Sequence, residues 1–199
     1  MRWAPKVAVM TAQDVLNFWF SELRRDQWFR GGDAVDEMIR TRFSDLLEEI
    51  HQGKHDSWAQ TPSGRLALVL VLDQFPRNIY RGTARSFSYD EKALGLVLEG
   101  LELRVDETLG PDERAFFYLP LEHSERMDIQ DQSLERYSSL VLSAPVAERE
   151  PLRFYLDYAW QHYVIIKKFG RYPHRNDILG RQASPDEVEF MKGPGSSFI

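Results

Sequence analysis

The sequence predicts an all-α protein, and three observations carry that reading. Alternating apolar and polar runs bounded by turn signals are nearly absent along its 199 residues. Ser or Thr followed three residues later by Asp or Glu recurs at the head of apolar-periodic segments, the mark of a capped helix start. Pro111 and Pro185 stand where a first helical turn tolerates proline. Together these give about eight to ten helices joined by short loops.

Taken in order, "TAQDVLNFWF" opens with Thr11 and Asp14 spaced as a capping box, followed by Val15, Phe18 and Trp19 at helical spacing. "DAVDEMIRTRFSDLLEEI" puts Val35, Met38 and Ile39, Phe43, Leu46 and Leu47, and Ile50 on one face and ends near Gly53. Ser63 is the expected cap of "GRLALVLVLDQ". That helix is apolar nearly all round, so it should be central, and Pro76 should stop it. "SYDEKALGLVLEGLEL" begins with a Ser88–Glu91 box. In "GPDERAFFYLPLEHSERMD", Pro111 suits a first turn, whereas the interior Pro120 predicts a kink or a break. "IQDQSLERYSSLVL" follows, then the proline-flanked "SAPVAEREP". The long aromatic-rich "LRFYLDYAWQHYVIIKKF" stops at Gly170, with Lys167 and Lys168 where cations suit the macrodipole. Finally, "SPDEVEFMKG" combines a Ser184 cap, Pro185 at the first position and Glu187 to complete the box. Residues 1–199 are read as one domain, with 1–10 and 193–199 as flexible ends.

Composition excludes several chemistries. There is no cysteine, which removes disulfides, thiolate nucleophiles and cysteine metal sites and fits a cytoplasmic location. The N-terminal "MRWAPKVAVM" lacks a signal-peptide core, and the apolar run Leu66 to Leu72 is far shorter than the about 20 residues that span a bilayer. A net charge of −6 argues against general nucleic-acid binding.

The distribution of charge is more telling. Asp73 to Arg85 carries +2 and Lys167 to Arg181 carries +4, so the remainder carries −12. These basic islands also share wording: "DQFPRNIYRG" and "GRYPHRNDILGR" each hold an aromatic, a proline, an Arg-Asn pair, an aliphatic, and a Gly next to an Arg. Local physics explains the proline and asparagine as helix stops. It does not explain arginines beside apolar helices, because a buried guanidinium needs partners. Two readings follow. The arginines Arg77, Arg81, Arg171 and Arg175 pair with Glu122, Glu125, Asp128 and Asp131 in a structural network. Alternatively, they line a polar pocket that grips a carboxylate or phosphate. In the second reading Asp73, Gln74, Arg77, Asn78, Arg81, His123, Glu125, Arg171, His174, Arg175 and Asn176 are the ligand-binding candidates. His123, His174 and Glu125 are then the acid–base candidates, should the protein be an enzyme.

Other constellations are weaker. His123, Ser124 and Glu125 are consecutive and cannot relay as a triad on a helix, and no G-x-S-x-G occurs. His51 and His55 flank Gly53 at a helix end and read as a surface pair, and no metal or cofactor is expected. His162 lies inside the long helix and reads as a satisfied core histidine. Nucleotide-binding fingerprints are missing, and the aromatics have core spacing.

"FWF", "RLALVLVLDQFPRNIYRGTARSF", "FFYLPLEHSE" and "FGRYPHRNDILGR" followed by "SPDE" resemble the bacterial domain-of-unknown-function family number 924 from about Val15 to Phe190. Val35 stands where that family usually has Phe before the Asp. The resemblance implies an α-α superhelix of stacked antiparallel helical hairpins, similar to tetratricopeptide-repeat proteins, although no 34-residue period occurs here. It supplies no activity. The motif positions it marks include all of the pocket candidates above and add Pro76, Ser124, Asp131, His162 and Arg181. The function expected is binding of a small anionic molecule or an acidic peptide end, with neither nucleic acid nor membrane as partner. Alternatives are an interaction scaffold of the tetratricopeptide type or a small hydrolase or transferase with a histidine base.

Overall fold

The computed structural model describes residues 9–196, and all regular structure among them is helical. The α-helices are α1 (Ala12–Asn17), α2 (Gln27–Arg30), α3 (Gly32–His51), α4 (Pro62–Ile79), α5 (Asp90–Glu102), α6 (Pro111–His123), α7 (Met127–Ser143), α8 (Arg149–Phe169) and α9 (Pro185–Phe190). A π-helical turn, Phe18–Glu22, continues α1, and short 3₁₀ turns fill several connections. Consecutive helices pack as pairs: α3 on α4, α4 on α5, α5 on α6, α6 on α7 and α7 on α8.

α4 occupies the centre because every residue from Gly64 to Pro76 is buried, the outcome its all-round apolar sequence predicts. It packs against α1, α3, α5 and α6. Phe75 meets Phe18, Trp19 and Phe43 with ring centroids 4.8–6.2 Å apart. The amphipathic face foreseen on α3 is buried, save Met38, which is 39% exposed.

The Thr11–Asp14 and Ser184–Glu187 boxes form as expected, and Gly170 ends α8 in the left-handed region at φ 69°. Four local expectations are corrected. The cap of α4 is Thr61, whose hydroxyl accepts from the Gly64 amide at 3.1 Å, because Pro62 takes the first helical position and leaves Ser63 inside. α5 starts after Tyr89 with no side-chain cap, so the Ser88 box does not form.

Pro76 does not stop α4, and Pro120 does not break α6. A proline inside a helix costs about 3 kcal/mol. Around Pro120, residues Ala115 to Glu122 are all buried. Each large apolar side chain among them returns about 1.5–3 kcal/mol, so packing outweighs the lost donor. Of the expected flexible ends, 1–8 and 197–199 lie outside the described residues. Within the rest, Ser196 is buried and donates to the Met191 carbonyl at 3.3 Å.

The 3₁₀ turn Asp56–Gln60 sits so close to α4 that a Cβ built on Gly64 would lie 2.2 Å from the Trp58 carbonyl oxygen. Gly64→Ala is therefore expected to cost roughly 1–3 kcal/mol by urea denaturation. An unchanged midpoint would mean the turn yields without cost.

Candidate functional site

α6 ends at His123, which leaves its last carbonyls without intrahelical donors. Gln130 of α7 supplies them, its Nε2 donating to the carbonyls of Glu122 and Ser124 at 2.7 Å each. Tyr172 donates its hydroxyl to the same Glu122 carbonyl. These bonds tie the end of α6 to α7 and to the segment that follows α8.

At that junction two cavities, of about 350 and about 100 Å³, share Arg77, Arg81, His123 and His162 in their walls. The larger adds Gln74, Asn78 and Glu122 and is also lined by aromatic rings, among them Trp28, Phe29, Phe154 and Tyr158. The smaller adds Ser86, Phe87, His174, Arg175 and Ile178. The two echoing elbows, nearly a hundred residues apart in the chain, thus meet at one place.

Beside the cavities lie two histidine–carboxyl pairs. His123 Nδ1 is 2.7 Å from Asp73 Oδ1. Burial works against the Asp73 charge, but Arg77, His123 and the Gln74 amide outweigh it and hold the carboxyl well below its ordinary range. An ionised Asp73 can only accept, so His123 Nδ1 carries the proton and Nε2 keeps its lone pair. Burial, reinforced by Arg77, lowers the His123 pKa, so the ring is neutral at pH 7. In the second pair, His162 Nδ1 donates to the Tyr158 carbonyl at 2.8 Å and lies 3.2 Å from Glu122 Oε2. Burial, with the Asp73 charge adding to it, pushes the Glu122 carboxyl up to about 8 against a hydrogen bond from Tyr137. Glu122 is therefore a protonated acid at neutral pH. The two histidine rings are 6.0 Å apart.

The arginines find acids other than those expected. Arg77 makes a bidentate pair with Asp90 of α5 at 2.9 and 3.0 Å and donates to the Asp73 carbonyl at 2.5 Å. Arg81 holds Asp36 of α3 at 2.7 and 2.8 Å, and Asn78 donates to the same carboxylate at 2.8 Å. Arg171 pairs with Glu187, the residue that also caps α9. Of the proposed acidic segment, only Glu125 takes hydrogen bonds from an arginine of the two basic islands, and that arginine is Arg181, at 2.7 and 3.0 Å. Asp131 is exposed, and Asp128 pairs with its neighbour Arg126. The expected network from Glu122–Asp131 to Arg77, Arg81, Arg171 and Arg175 is thus corrected. A helix end selects acids on the helices packed against it, and those lie on α3 and α5.

Arg175 differs from the rest. It is 7% exposed and stacks between Phe87 and Tyr172, with Cζ 4.7 and 4.5 Å from the ring centroids. Its Nε is buried without a hydrogen-bond partner, and the nearest carboxylate oxygen, on Asp90, is 3.8 Å from Nη1. Burial, with Arg77 adding repulsion, lowers its pKa from the ordinary arginine value. His174 beside it is lowered to about 4, by burial first and then by Arg175.

Of the residues singled out from sequence, Gln74, Arg77, Asn78, Arg81, His123, His174 and Arg175 line the cavities. Asp73 stands behind His123. Glu125 stands behind Tyr172, accepting from its amide at 2.8 Å. Arg171 and Asn176 lie outside both linings. Sequence reasoning missed the Glu122–His162 pair, the aromatic wall, and Asp36 and Asp90. His162, read as a core histidine, is both buried and part of the wall. Among the described residues no group of three or more His, Asp or Glu could hold a metal ion, and no helix is long and apolar enough to cross a membrane.

The family model described as "Bacterial protein of unknown function (DUF924)" matches residues 15–195. A solved structure, described as that of a protein of unknown function, ATU0120, from Agrobacterium tumefaciens, is 34% identical. The match covers 92% of this chain and 97% of that one, with a TM-score of 0.81. No curated protein matches.

Proposed function

We propose, for a chain that belongs to the bacterial family of unknown function DUF924, the binding of a small anionic ligand between its two arginine-bearing elbows. One observation carries this reading: the buried Arg175 guanidinium in the smaller cavity, whose Nε has no acceptor. Leaving such a group unsatisfied costs several kcal/mol, and a carboxylate or phosphate supplies the missing acceptor. Arg77 and Arg81 are neutralised from behind by Asp90 and Asp36, so they present donors without adding excess charge. The aromatic wall of the larger cavity suits an apolar or ring-bearing body attached to the anion. An acidic peptide end presents the same carboxylate chemistry. The scaffold is read as a single cytoplasmic domain of stacked antiparallel hairpins, similar in shape to tetratricopeptide-repeat proteins.

Calorimetric titration with phenylacetate, benzoate and inorganic phosphate tests the reading. Saturable binding of at least one is expected at low salt, and binding of none would overturn it. The second reading, a partner helix or tail held in a groove, draws on the exposed Phe154, Trp160 and Val164 of α8. A stoichiometric protein partner together with no small-anion binding would favour it.

A further inference from the structure

Resting on the anion-binding reading, the geometry points to an activity at the same site: we propose that it enolises a 2-oxo acid with an apolar or aryl tail, His123 acting as base and Glu122 as acid. The argument is one of order in space. The anion pole is Arg175 in the smaller cavity, and the aromatic pole is Phe29, Phe154 and Tyr158 in the larger. His123 lines both cavities, as do Arg77, Arg81 and His162, so it lies between the two poles. A ligand with its carboxylate on Arg175 and its tail against the aromatic wall places its middle carbons beside His123.

The imidazole is set up as a base. Nδ1 is committed to Asp73 at 2.7 Å, which leaves Nε2 as the ring nitrogen with an available lone pair. The serines nearest the site are engaged by backbone groups. Ser86 donates to the Thr83 carbonyl at 2.7 Å, Ser124 accepts from the Arg126 amide at 3.2 Å, and the chain has no cysteine. Direct abstraction of a carbon-bound proton is chemistry that suits a base placed between an anion clamp and an apolar wall.

The step balances without a co-reactant. His123 Nε2 takes the C3 proton, and the electrons of that C–H bond become the C2–C3 double bond. The carbonyl π pair takes the Glu122 proton, giving the enol and an imidazolium–carboxylate pair. The reverse step returns a proton to C3 and one to Glu122. In D₂O the returned proton is a deuteron. Asp73 is a positioning residue, since it acts through His123 and fixes the tautomer.

The test is loss of the benzylic proton signal of phenylpyruvate in D₂O, followed by NMR, beside calorimetry with phenylacetate. Wild-type protein is expected to speed exchange by about 10²-fold or more over buffer. His123→Gln should return the rate to that of buffer while phenylacetate affinity stays within about 3-fold. Asp73→Asn should lower the rate and move the acid limb of its pH profile downward, because the Asp73 charge raises the His123 pKa. The other charges facing that ring, Arg77, Asp90 and His162, are unchanged by the substitution. Phenylacetate binding with no acceleration by the wild type, or acceleration that survives His123→Gln, overturns the activity and leaves the binding reading standing. No acceleration together with no binding of phenylacetate, benzoate or phosphate overturns both.

Discussion

Arg175→Met is expected to raise stability while weakening anion binding. The guanidinium is nearly fully buried, and its Nε has no acceptor, so the folded protein bears much of its desolvation cost without return. Methionine has a similar length and keeps the contacts with the rings of Phe87 and Tyr172. The substitution does not orphan a carboxylate either. Asp90, the nearest acid, keeps its bidentate pair with Arg77 at 2.9 and 3.0 Å. Replacing a poorly paired buried ion by a well-packed apolar group typically gains about 1–4 kcal/mol. In a chain of this length that raises the melting midpoint by roughly 2–4 °C per kcal/mol. The same variant removes charge-assisted bonds worth about 1.5–3 kcal/mol each, so affinity for an anion should fall by at least about tenfold. Differential scanning calorimetry and titration calorimetry read the two effects. A clear drop in midpoint would mean that Arg175 is a structural member of an ion-pair network.

Glu122→Gln is expected to flatten the alkaline side of the stability profile. The Glu122 folded pKa, about 8, lies above its ordinary 4.5. A group raised in this way gives stability that is complete below the unfolded value and is lost as pH rises through the folded one. The buried histidines work in the opposite direction. His123, His162 and His174 are all lowered below 6.5, so between their folded values and 6.5 they make stability rise with pH. Asp73 is lowered too, and its contribution is lost only as pH falls below its unfolded value near 4. Unfolded histidines are still half protonated at pH 6.5, so above it the three together add about 1 kcal/mol of opposite sign, common to wild type and variant. From pH 6.5 to 8.5 the wild type should lose roughly 2 kcal/mol relative to Glu122→Gln. Urea denaturation at pH 6.5 and 8.5 is the measurement. Equal slopes would show that Glu122 is ionised and paired in the folded protein.

The helical class, the central place of α4 and the meeting of the elbows were legible because they follow from burial. Leu66 to Leu72 is apolar on every side, and Arg77 and Arg175 flank segments that must pack inward. Partner choice was not legible, because it depends on which helices lie against one another. Asp36 precedes Arg81 by 45 residues and, like Asp90, stands in an ordinary amphipathic helix. Nothing local marks either as a counter-ion. The behaviour of Pro76 and Pro120 was missed for a related reason: local rules count the lost donor, and packing supplies the larger opposing energy. Glu122 and His162 each look unremarkable in sequence, and only the crossing of α6 with α8 brings them to 3.2 Å.

The ¹H–¹⁵N resonance of Arg175 Nε during titration with phenylacetate tests the central claim most directly. A saturable downfield shift is expected at Arg175, as the orphaned donor gains an acceptor. No shift is expected at Arg65, whose Nη1 is held by the Leu96 carbonyl and Glu99 away from both cavities. An Arg175 resonance that stays fixed while phenylacetate binds elsewhere, or that moves no more than that of Arg65, would contradict it.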